Sequence, residues 1–332
     1  MSEKRALILG IGGQDGYFLS RLLTEKGYGI TGVLRLEDMT AETIPHLPHD
    51  NLRLVQGSIC DEDLIRQIIL EEAPQLIFNL AGISFIPHSW DAPQDVARIN
   101  GFAVGQILNI IRQEAPQCRF FQAGSSEMFG HDPASSPQDE ETPFNPDNPY
   151  GSSKVFAAHL VRNYRSHFGV FACTGILYNH ESPWRRPEFV TRKITQAAAA
   201  ISLGKEVSLT LGNLNAVRDW SYAGDIVEAM WLMMTADEPN DYVLASGKLH
   251  SVKNVLTVAF GRVGLSWEEH VRIDQSLNRP REPVPLCGNP FKMKRDLRWT
   301  PRVQFEDLIR MMVDRDVEKL SSVSCRRSVG GV

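Results

Sequence analysis

A series of three glycines near the start of the chain limits its fold more than any other feature. Gly10, Gly13 and Gly16 follow the apolar residues Ala6–Leu9 and precede a helical pattern. Glycines at this spacing allow a tight turn and let the backbone and helix N-terminus approach a pyrophosphate, whose charge suits the positive end of the helix dipole. Between a strand and an amphipathic helix, this pattern predicts a dinucleotide site.

The first half of the chain alternates short apolar runs with amphipathic segments, which predicts βαβ units and a parallel sheet. The predicted strands are 6–9, 30–34, 52–55, 76–80, 119–123 and 171–177. The predicted helices between them are 17–26, 61–72, 96–114 and 152–167. The fold class is therefore α/β: a Rossmann-type doubly wound parallel sheet with a smaller α/β C-terminal substrate domain.

The regular alternation of predicted strands and helices ends after residue 178, where loops rich in Pro, Arg and Trp separate shorter elements. We predict an NADP-binding Rossmann domain over 1–178 and a substrate-binding domain over 179–320, with some later segments returning to the first domain. The Ser-, Gly- and Arg-rich stretch 321–332 is predicted to be a flexible tail.

Composition and charge exclude several classes of protein. The 332 residues carry a formal net charge of −5 and no basic run, so a nucleic-acid partner is not expected. The five cysteines are scattered without C-x-x-C spacing, which indicates reduced thiols rather than disulfides or a zinc site. We expect no metal, and we interpret His46 and His49 as solvated loop residues. No membrane span or signal peptide is recognised, so the predicted location is the cytoplasm.

The end of the second predicted strand bears on the choice between NAD and NADP. An acidic residue there accepts a hydrogen bond from the ribose 2′-hydroxyl, whereas an arginine favours a 2′-phosphate. Arg35 comes first and favours NADP over NAD, but Glu37 and Asp38 follow directly. The alternative is that the three form a surface cluster.

Tyr150, Lys154 and Ser125 form the predicted catalytic group. Tyr150 and Lys154 are four residues apart at the start of a helix, so both side chains project from one face. A lysine cation near a tyrosine hydroxyl is expected to lower the pKa of the phenol toward the working pH, so that tyrosine can take the proton of a substrate alcohol. Ser125, at the end of an intervening strand, is predicted to hydrogen-bond the same substrate oxygen.

Glu127 distinguishes this chain from a simple dehydrogenase. It follows Ser125 by two residues, at the mouth of the same predicted site. Once C4 of a hexose is oxidised to a ketone, the C5 proton becomes acidic. A carboxylate can then remove that proton and help expel the C6 hydroxyl as water. The alternative role of Glu127 is a structural cap on the next turn.

The second half contributes candidate substrate ligands. Lys193, Arg218 and Arg279 are cations that are expected to converge on a diphosphate, with Asn179 and Glu282 binding hydroxyls or a base. A surface salt bridge is the alternative for any one of these cations. His180 is interpreted as a structural histidine rather than a catalyst.

These motifs closely resemble those of the GDP-mannose 4,6-dehydratase family. The strings N-H-E-S-P, F-V-T-R-K and L-G-N-L-x-A-x-R-D-W are far more specific than the general dehydrogenase motifs. The resemblance covers about residues 5 to 318 and rests on Gly10–Gly16, Ser125–Glu127, Tyr150 with Lys154, Asn179–Pro183, Phe189–Ile194, Leu211–Trp220, Glu228–Trp231, Gly247–Val252, Arg279–Glu282 and Trp299–Arg302.

The resemblance implies an extended short-chain dehydrogenase/reductase fold, bound NADP, a GDP-sugar substrate and a homodimer or homotetramer. The catalytic residues that it implies are Ser125, Glu127, Tyr150 and Lys154. The cofactor residues that it implies are Gly10, Gly13, Gln14, Asp15, Gly16, Arg35, Ser58 and Leu80, together with Tyr150 and Lys154. The substrate residues that it implies are Ser84, Glu127, Asn179, Lys193, Arg218, Arg279 and Glu282.

The sequence departs from the family pattern at three places. Leu36–Met39 stands where the family has a second arginine and a Ser-rich stretch that touches the cofactor of a neighbouring subunit. Ser58 replaces an aspartate expected near adenine, and Gly82–Phe85 replaces Ala-Gln-Ser-His beside the sugar. These changes leave room for a related substrate such as a GDP-manno-heptose.

The sequence therefore predicts a 4,6-dehydratase of GDP-mannose or of a close GDP-sugar. An epimerase or a 4-keto reductase of the same fold remains open, as does a non-catalytic nucleotide-binding protein. Glu127 argues against the first pair, because a simple ketone reductase does not need that acid. The presence of Ser125, Tyr150 and Lys154 argues against the third.

Overall fold

The computed structural model describes residues 4–40, 42–48, 50–132, 135–277 and 285–329. The strands that it describes are β1 (Lys4–Leu9), β2 (Tyr28–Leu34), β3 (Leu52–Gln56), β4 (Leu76–Asn79), β5 (Arg119–Ala123), β6 (Ala172–Leu177), β7 (Asn179–Glu181), β8 (Leu209–Leu211), β9 (Val217–Tyr222), β10 (Tyr242–Leu244), β11 (Leu249–Ser251) and β12 (Val271–Ile273).

The helices in the described ranges are α1 (Gln14–Glu25), α2 (Glu62–Glu72), α3 (Ile86–Asp91), α4 (Pro93–Ala97), α5 (Ala103–Glu114), α6 (Pro149–Phe168), α7 (Val190–Ser202), α8 (Ala223–Thr235), α9 (Val252–Arg262), α10 (Trp267–His270), α11 (Phe291–Leu297) and α12 (Phe305–Val329). A π-helical turn, Arg98–Phe102, joins α4 to α5. No described helix combines the length and the apolar character that a bilayer crossing requires.

One seven-stranded parallel sheet forms the centre of the first domain, in the order β10-β6-β5-β4-β1-β2-β3. The chain fills β1, β2 and β3 toward one edge and then returns to β4 beside β1. Ligands of such sheets bind at this reversal, outside the carboxyl ends of the strands. The predicted fold class, a Rossmann-type doubly wound parallel sheet with a smaller second unit, is confirmed.

The strands are apolar because both faces of the sheet are covered. Helices α1 and α8 contribute to the apolar core on one face, which includes Leu19 and Met230. Helices α2, α5 and α6 contribute to the core on the other face, which includes Ile107 and Val161. The glycine turn and helix α6, which carries Tyr150 and Lys154, are thus held against the same sheet.

In the described part of the chain, the second unit contains two small sheets, the longer helices α7, α9 and α12, and the short helix α10. The sheets have the orders β11-β9-β7 and β12-β8. Helices α7, α9 and α12 enclose a separate core around Leu256 and Ile309. The buried side chains of Arg192 on α7 and Asp316 on α12 form an ion pair within it. After residue 178 the chain also returns to the first sheet, because β10 pairs with β6.

Local signals explain the boundaries of α6. The side chain of Asn148 accepts a hydrogen bond from Gly151 N at 2.8 Å, and Pro149 occupies the first helical position. Gly169 ends the helix with φ of 69°, in the left-handed region. The prediction started this helix at residue 152, three residues too late, because Pro149 was assigned to the preceding loop.

The region of α1, the region of α5 and the end of α12 also differ from the prediction. Helix α1 begins at Gln14 and so includes the last glycine of the turn, whereas the prediction began it at residue 17. The single helix predicted over 96–114 is interrupted by the π-helical turn. Helix α12 continues to Val329, past residue 321, where we predicted the tail to begin. The flexibility of that tail stays a prediction.

Candidate active site

A cavity of about 600 Å³ lies at the carboxyl ends of β1, β2, β4 and β5 and is closed on the other side by the segment after β6. Its lining brings together residues that are up to 186 positions apart in the chain. The predicted site residues that line it are Gly10, Gly13, Gln14, Asp15, Gly16, Arg35, Ser58, Leu80, Ser84, Ser125, Glu127, Tyr150, Lys154 and Asn179.

The glycine turn has the shape that a dinucleotide requires. Gly10 has φ of 84°, and a Cβ there would lie 2.8 Å from the backbone of Ala81. A Cβ on Gly16 would lie 2.3 Å from the carbonyl oxygen of Ile11, so the first turn of α1 can pack this closely only with glycine. Gly13 caps α1 without a side-chain hydrogen bond, which leaves the N–H groups of the first turn to bind a pyrophosphate.

Arg35 occupies the wall of the cavity that follows β2. Its guanidinium contacts Glu37 at 2.7 Å and Asp38 at 3.0 Å, and these carboxylates raise its pKa further. The predicted alternative, a cluster of these three residues, is therefore present, and it lines the cavity as well. A 2′-phosphate would have to compete with two carboxylates for this cation, at a position that water reaches.

Gln14 and Asp15 link the glycine turn to the segment after β6. Asp15 contacts Nε2 of His180 at 2.9 Å, and Gln14 accepts a hydrogen bond from the Ser182 hydroxyl at 2.7 Å. Burial alone would raise the pKa of Asp15, but the His180 imidazole lowers it below its usual range. His180 is buried and lines the cavity, so its structural role, which the sequence predicts, also shapes the site.

Tyr150 and Lys154 lie in the buried floor of the cavity. Lys154 Nζ donates to the carbonyl of Ala123 at 2.9 Å and lies 5.8 Å from the centre of the Tyr150 ring. Burial lowers the pKa of Lys154 to about 8. Burial also raises the pKa of Tyr150 to about 12, against the opposing effect of the Ser125 hydroxyl. The lower Tyr150 pKa that the sequence predicts is therefore not found here, because desolvation dominates, and an effect of Lys154 on this pKa stays a prediction.

Asn100 supports this group from the π-helical turn, and sequence reasoning missed it. Its side-chain amide exchanges two hydrogen bonds with the backbone of Ile83, at 2.9 and 3.0 Å. A Cβ on Gly82 would lie 2.8 Å from Asn100 Oδ1 and 3.5 Å from Lys154 Nζ, so the wall of the cavity and the lysine meet here. The signal was absent from the sequence, since π-helical turns have no recognised spacing but are frequent at functional sites.

Glu127 enters the cavity from the turn that follows β5. Its backbone N–H donates to Ser125 Oγ at 3.3 Å, and its carboxylate accepts from Asn148 Nδ2 at 2.8 Å. Asn148 also caps α6, the helix that carries Tyr150 and Lys154. A single amide therefore fixes the carboxylate relative to the tyrosine. Sequence reasoning missed Asn148 because it stands in what looks like an ordinary polar loop.

The cations predicted to bind the substrate do not follow the pattern of the other predicted site residues, most of which line the cavity. Lys193 is exposed on α7, whereas Arg192, one residue earlier, is buried and lines the cavity. Arg218 is half-buried on β9, and its guanidinium bonds the Val217 carbonyl at 2.7 Å. Neither Lys193 nor Arg218 is among the described residues of the lining, and their role at the substrate stays a prediction. Arg279 and Glu282 lie outside the described residues.

Arg185 is a cavity cation that sequence reasoning did not single out. Its guanidinium lies 3.2 Å from Glu181 and 3.4 Å from the centre of the Phe189 ring. Its positive charge also lowers the pKa of Asp15, so it acts at the end of the cavity that the glycine turn forms. Its position just after N-H-E-S-P could have indicated a cation of the site, but the sequence does not distinguish it from neighbouring Arg186.

Two solved structures share the fold of this chain. The chain matches dTDP-glucose 4,6-dehydratase from Bacillus anthracis in complex with NAD with a TM-score of 0.83 and 21% identity, over 96% of this chain and 98% of that one. It matches RMD from Pseudomonas aeruginosa complexed with NADPH with a TM-score of 0.80 and 18% identity, over 95% and 99%. These likenesses show the fold, a Rossmann-type parallel sheet with a smaller second unit.

Sequence comparisons then identify the family. The family described as GDP-mannose 4,6 dehydratase matches residues 7–312. GDP-mannose 4,6 dehydratase 1 of Arabidopsis thaliana is 42% identical over 95% of this chain and 90% of its own length. The Homo sapiens GDP-mannose 4,6 dehydratase is 39% identical over 94% and 91%. The chain belongs to the GDP-mannose 4,6-dehydratase family, and these relatives support 4,6-dehydration of GDP-mannose, a hydro-lyase reaction, as its function.

Proposed function

We propose that this chain converts GDP-mannose into its 4-keto-6-deoxy derivative and that Tyr150, Lys154, Ser125 and Glu127 carry out the reaction. The observation that carries the proposal is the presence of Glu127 in the same cavity as Tyr150 and Lys154. A tyrosine and a lysine suffice for oxidation of an alcohol, but water elimination needs a further acid/base group.

The glycine turn, Leu80 and Ser58 would hold a nicotinamide dinucleotide along the edge of the sheet. When bound, the nicotinamide supplies a hydride acceptor for oxidation at C4 and returns the hydride at C6. Its positive ring would also add the charge that Lys154 alone does not supply to lower the Tyr150 pKa.

The protein groups then act in sequence. Tyr150 accepts the proton of the C4 hydroxyl while Ser125 hydrogen-bonds the same oxygen. The resulting ketone makes the C5 proton acidic, and Glu127 removes it. Glu127 then gives a proton to the C6 hydroxyl, which leaves as water. The hydrogen bond from Asn148 holds the carboxylate in place between these two transfers.

Incubation with GDP-mannose and, separately, GDP-manno-heptose tests the proposal by mass spectrometry of the product. Loss of one water with no net consumption of cofactor supports the dehydratase, and the faster substrate identifies the sugar. A product of unchanged mass but altered stereochemistry would indicate an epimerase. With a 4-keto GDP-sugar and reduced cofactor supplied instead, a gain of two hydrogens would indicate a reductase. Bound cofactor without turnover of any of these substrates would indicate a binding protein.

NADP is our proposed cofactor, with Arg35 as its contact. Arg35 is the cation at the end of β2 that lines the cavity. Its pairing with Glu37 and Asp38 predicts a small preference over NAD, since part of its charge is already neutralised. Calorimetric titration with both dinucleotides measures this preference, and equal affinities would contradict the proposal.

We also propose a homo-oligomer. Phe102 and Phe156 are 61% and 42% exposed, and their rings meet edge to face, with centroids 5.4 Å apart, on the outer side of the π-helical turn and α6. An exposed aromatic pair of this kind favours burial against a second copy of the chain. Light scattering on the purified protein distinguishes monomer, dimer and tetramer. Location in the cytoplasm stays a prediction from the sequence.

A further inference from the structure

Two side chains outside the cavity lining connect Glu127 to the surface. His131 Nε2 lies 3.9 Å from Glu127 Oε2, and His131 Nδ1 lies 2.7 Å from Asp147 Oδ2. The exposed fractions of the side chains rise along this line, from 16% for Glu127 and 17% for His131 to 49% for Asp147. The line therefore runs from the reaction cavity to solvent without passing through the space that substrate and cofactor would fill.

Asp147 determines which nitrogen of His131 carries the proton. An ionised carboxylate only accepts hydrogen bonds, so Nδ1 has to be the donor at 2.7 Å. In the neutral ring, the lone pair of Nε2 then faces the Glu127 carboxyl. A gap of 3.9 Å is too long for a direct hydrogen bond and suits one bridging water.

The three side chains also have the composition of a metal site, since their ligand atoms lie within 4.8 Å of one another. Asn148 argues against a cation there. Its Nδ2 donates to Glu127 Oε2 at 2.8 Å and to Asp147 Oδ1 at 3.1 Å, and its Oδ1 is fixed by Gly151 N at 2.8 Å. The two carboxylates thus already share an N–H donor, and proton transfer fits the cluster better than metal binding.

The proposed reaction leaves Glu127 one proton short in every turnover. Glu127 receives the C5 proton and gives it to the C6 hydroxyl, which leaves as water. The product again has a hydrogen at C5, so Glu127 must be protonated a second time before it can deliver that hydrogen. The proton taken from the C4 hydroxyl is held by Tyr150 and is lost from there, so the protein neither gains nor loses protons overall.

We propose that His131, oriented by Asp147, returns this proton from solvent to Glu127. The inference rests on the proposed function, since it assigns His131 a part in the same reaction. His131 acts through Glu127 and does not touch the substrate. In each turnover a proton from solvent first binds Nε2 and gives an imidazolium that Asp147 stabilises. Nε2 then passes this proton through the bridging water to the Glu127 carboxylate, and the ring returns to its neutral Nδ1–H form.

His131→Ala tests the relay by chemical rescue. We expect kcat for water loss from GDP-mannose to fall at least tenfold, with KM within twofold of the wild type. Added imidazole should then restore at least a third of the wild-type kcat, because it can fill the space and carry the proton. His167→Ala, an exposed histidine near the end of α6, is the matched control and should show neither loss nor rescue.

Asp147→Asn provides a milder second variant, because Asp147 is half-exposed and its removal should not disturb folding. It should lower kcat about threefold through loss of the charge that stabilises protonated His131. Unchanged kcat in His131→Ala, or a loss that imidazole does not restore, would overturn the relay. Removal of divalent cations with EDTA should change nothing; a loss reversed by a metal would also overturn it.

A readout independent of turnover separates the relay from the reaction. In 15N spectra of the histidine side chains, the neutral form of the His131 ring should carry its proton on Nδ1, with its signal assigned from the His131→Gln variant. A proton on Nε2 of the neutral ring would contradict the relay even in an active enzyme. If the wild type releases no water from GDP-mannose but the tautomer is as expected, the proposed function fails and the orientation by Asp147 stands.

Discussion

The two sides of the cavity differ in their access to solvent. We call the side of Tyr150 and Lys154 the sealed side and the side of Glu127 the open side. Tyr150 and Lys154 are almost completely buried, and burial moves both of their pKa values toward the neutral form. Glu127 faces the same cavity but leads through His131 to the exposed carboxylate of Asp147. The sealed side gains strong electrostatics from a water-poor environment, whereas the open side remains able to exchange protons with solvent. The proposed reaction uses both sides. Tyr150 takes one proton directly from the substrate, whereas Glu127 needs a new proton from solvent in every turnover.

Tyr150→Phe should have the largest effect. Removal of the hydroxyl leaves no group to take the C4 proton, so kcat should fall roughly a thousandfold. The ring remains in place, and binding of GDP-mannose measured by calorimetry should change little. Turnover near the wild-type rate would mean that the sealed side does not begin the reaction.

Glu127→Gln should lower the rate of water loss, and with it kcat, roughly several hundredfold, which is somewhat less than the effect of Tyr150→Phe. Glutamine has nearly the same shape and can still accept the hydrogen bond from Asn148. Mass spectrometry should show substrate of unchanged mass, while transient formation of reduced cofactor continues. Water loss at the normal rate would show that Glu127 has no part in the mechanism. It would also contradict the role of the open side of the cavity in the reaction.

Asn148→Ala should lower kcat about tenfold, because the carboxylate loses the donor that fixes it. It should also destabilise the protein by about 1 kcal/mol through loss of the N-cap of α6. Ser251→Ala is a matched control, since Ser251 caps α9 and accepts from Asn254 N at 3.1 Å far from the cavity. Equal stability losses with equal activities would show that Asn148 is only a cap.

Lys154→Met should inactivate the enzyme and yet stabilise the fold. The pKa of Lys154 falls from 10.5 to about 8, which costs about 3 kcal/mol of folding free energy at neutral pH. Loss of its hydrogen bond to Ala123 offsets part of this, so we expect a net gain of about 1–2 kcal/mol.

The pH dependence of this gain checks its cause. The cost of the buried cation is fully present below pH 8, and it disappears as the pH rises from about 8 toward 10.5. The difference in unfolding free energy between Lys154→Met and the wild type, measured by urea denaturation, should therefore be larger at pH 7 than at pH 10. A difference that is constant with pH would assign the effect to packing instead.

Most of the first domain was predictable, because the residues that define it are close in sequence. Gly10, Gly13 and Gly16 lie within one turn, and the pair Tyr150 and Lys154 lies on one helix face. The contact between Asp15 and His180 was not predictable, since it joins positions 165 residues apart. It depends on how the segment after β6 folds back over the glycine turn.

The side chains of the second unit were harder to assign because their direction depends on helix phase. Arg192 and Lys193 are adjacent, but one residue turns a helix by about 100°, so one faces the cavity and the other faces solvent. The sequence contains both cations and does not show which of them points inward. Asn148 was missed for a related reason, because its hydrogen bond to Glu127 exists only once the turn after β5 lies beside the start of α6.

The short strand β10 has a practical consequence for dividing the protein. It covers the outer edge of β6, through pairs such as Val243 with Ile176, and it comes from beyond residue 178. A fragment that stops at 178 would carry β6 as an open, apolar edge and should self-associate. The complementary fragment carries the missing strand, and donation of that strand in trans is a known mode of β-sheet assembly. Fragments cut at this point would thus be candidates for a split reporter, with recovered dehydratase activity as the signal that the two halves have met.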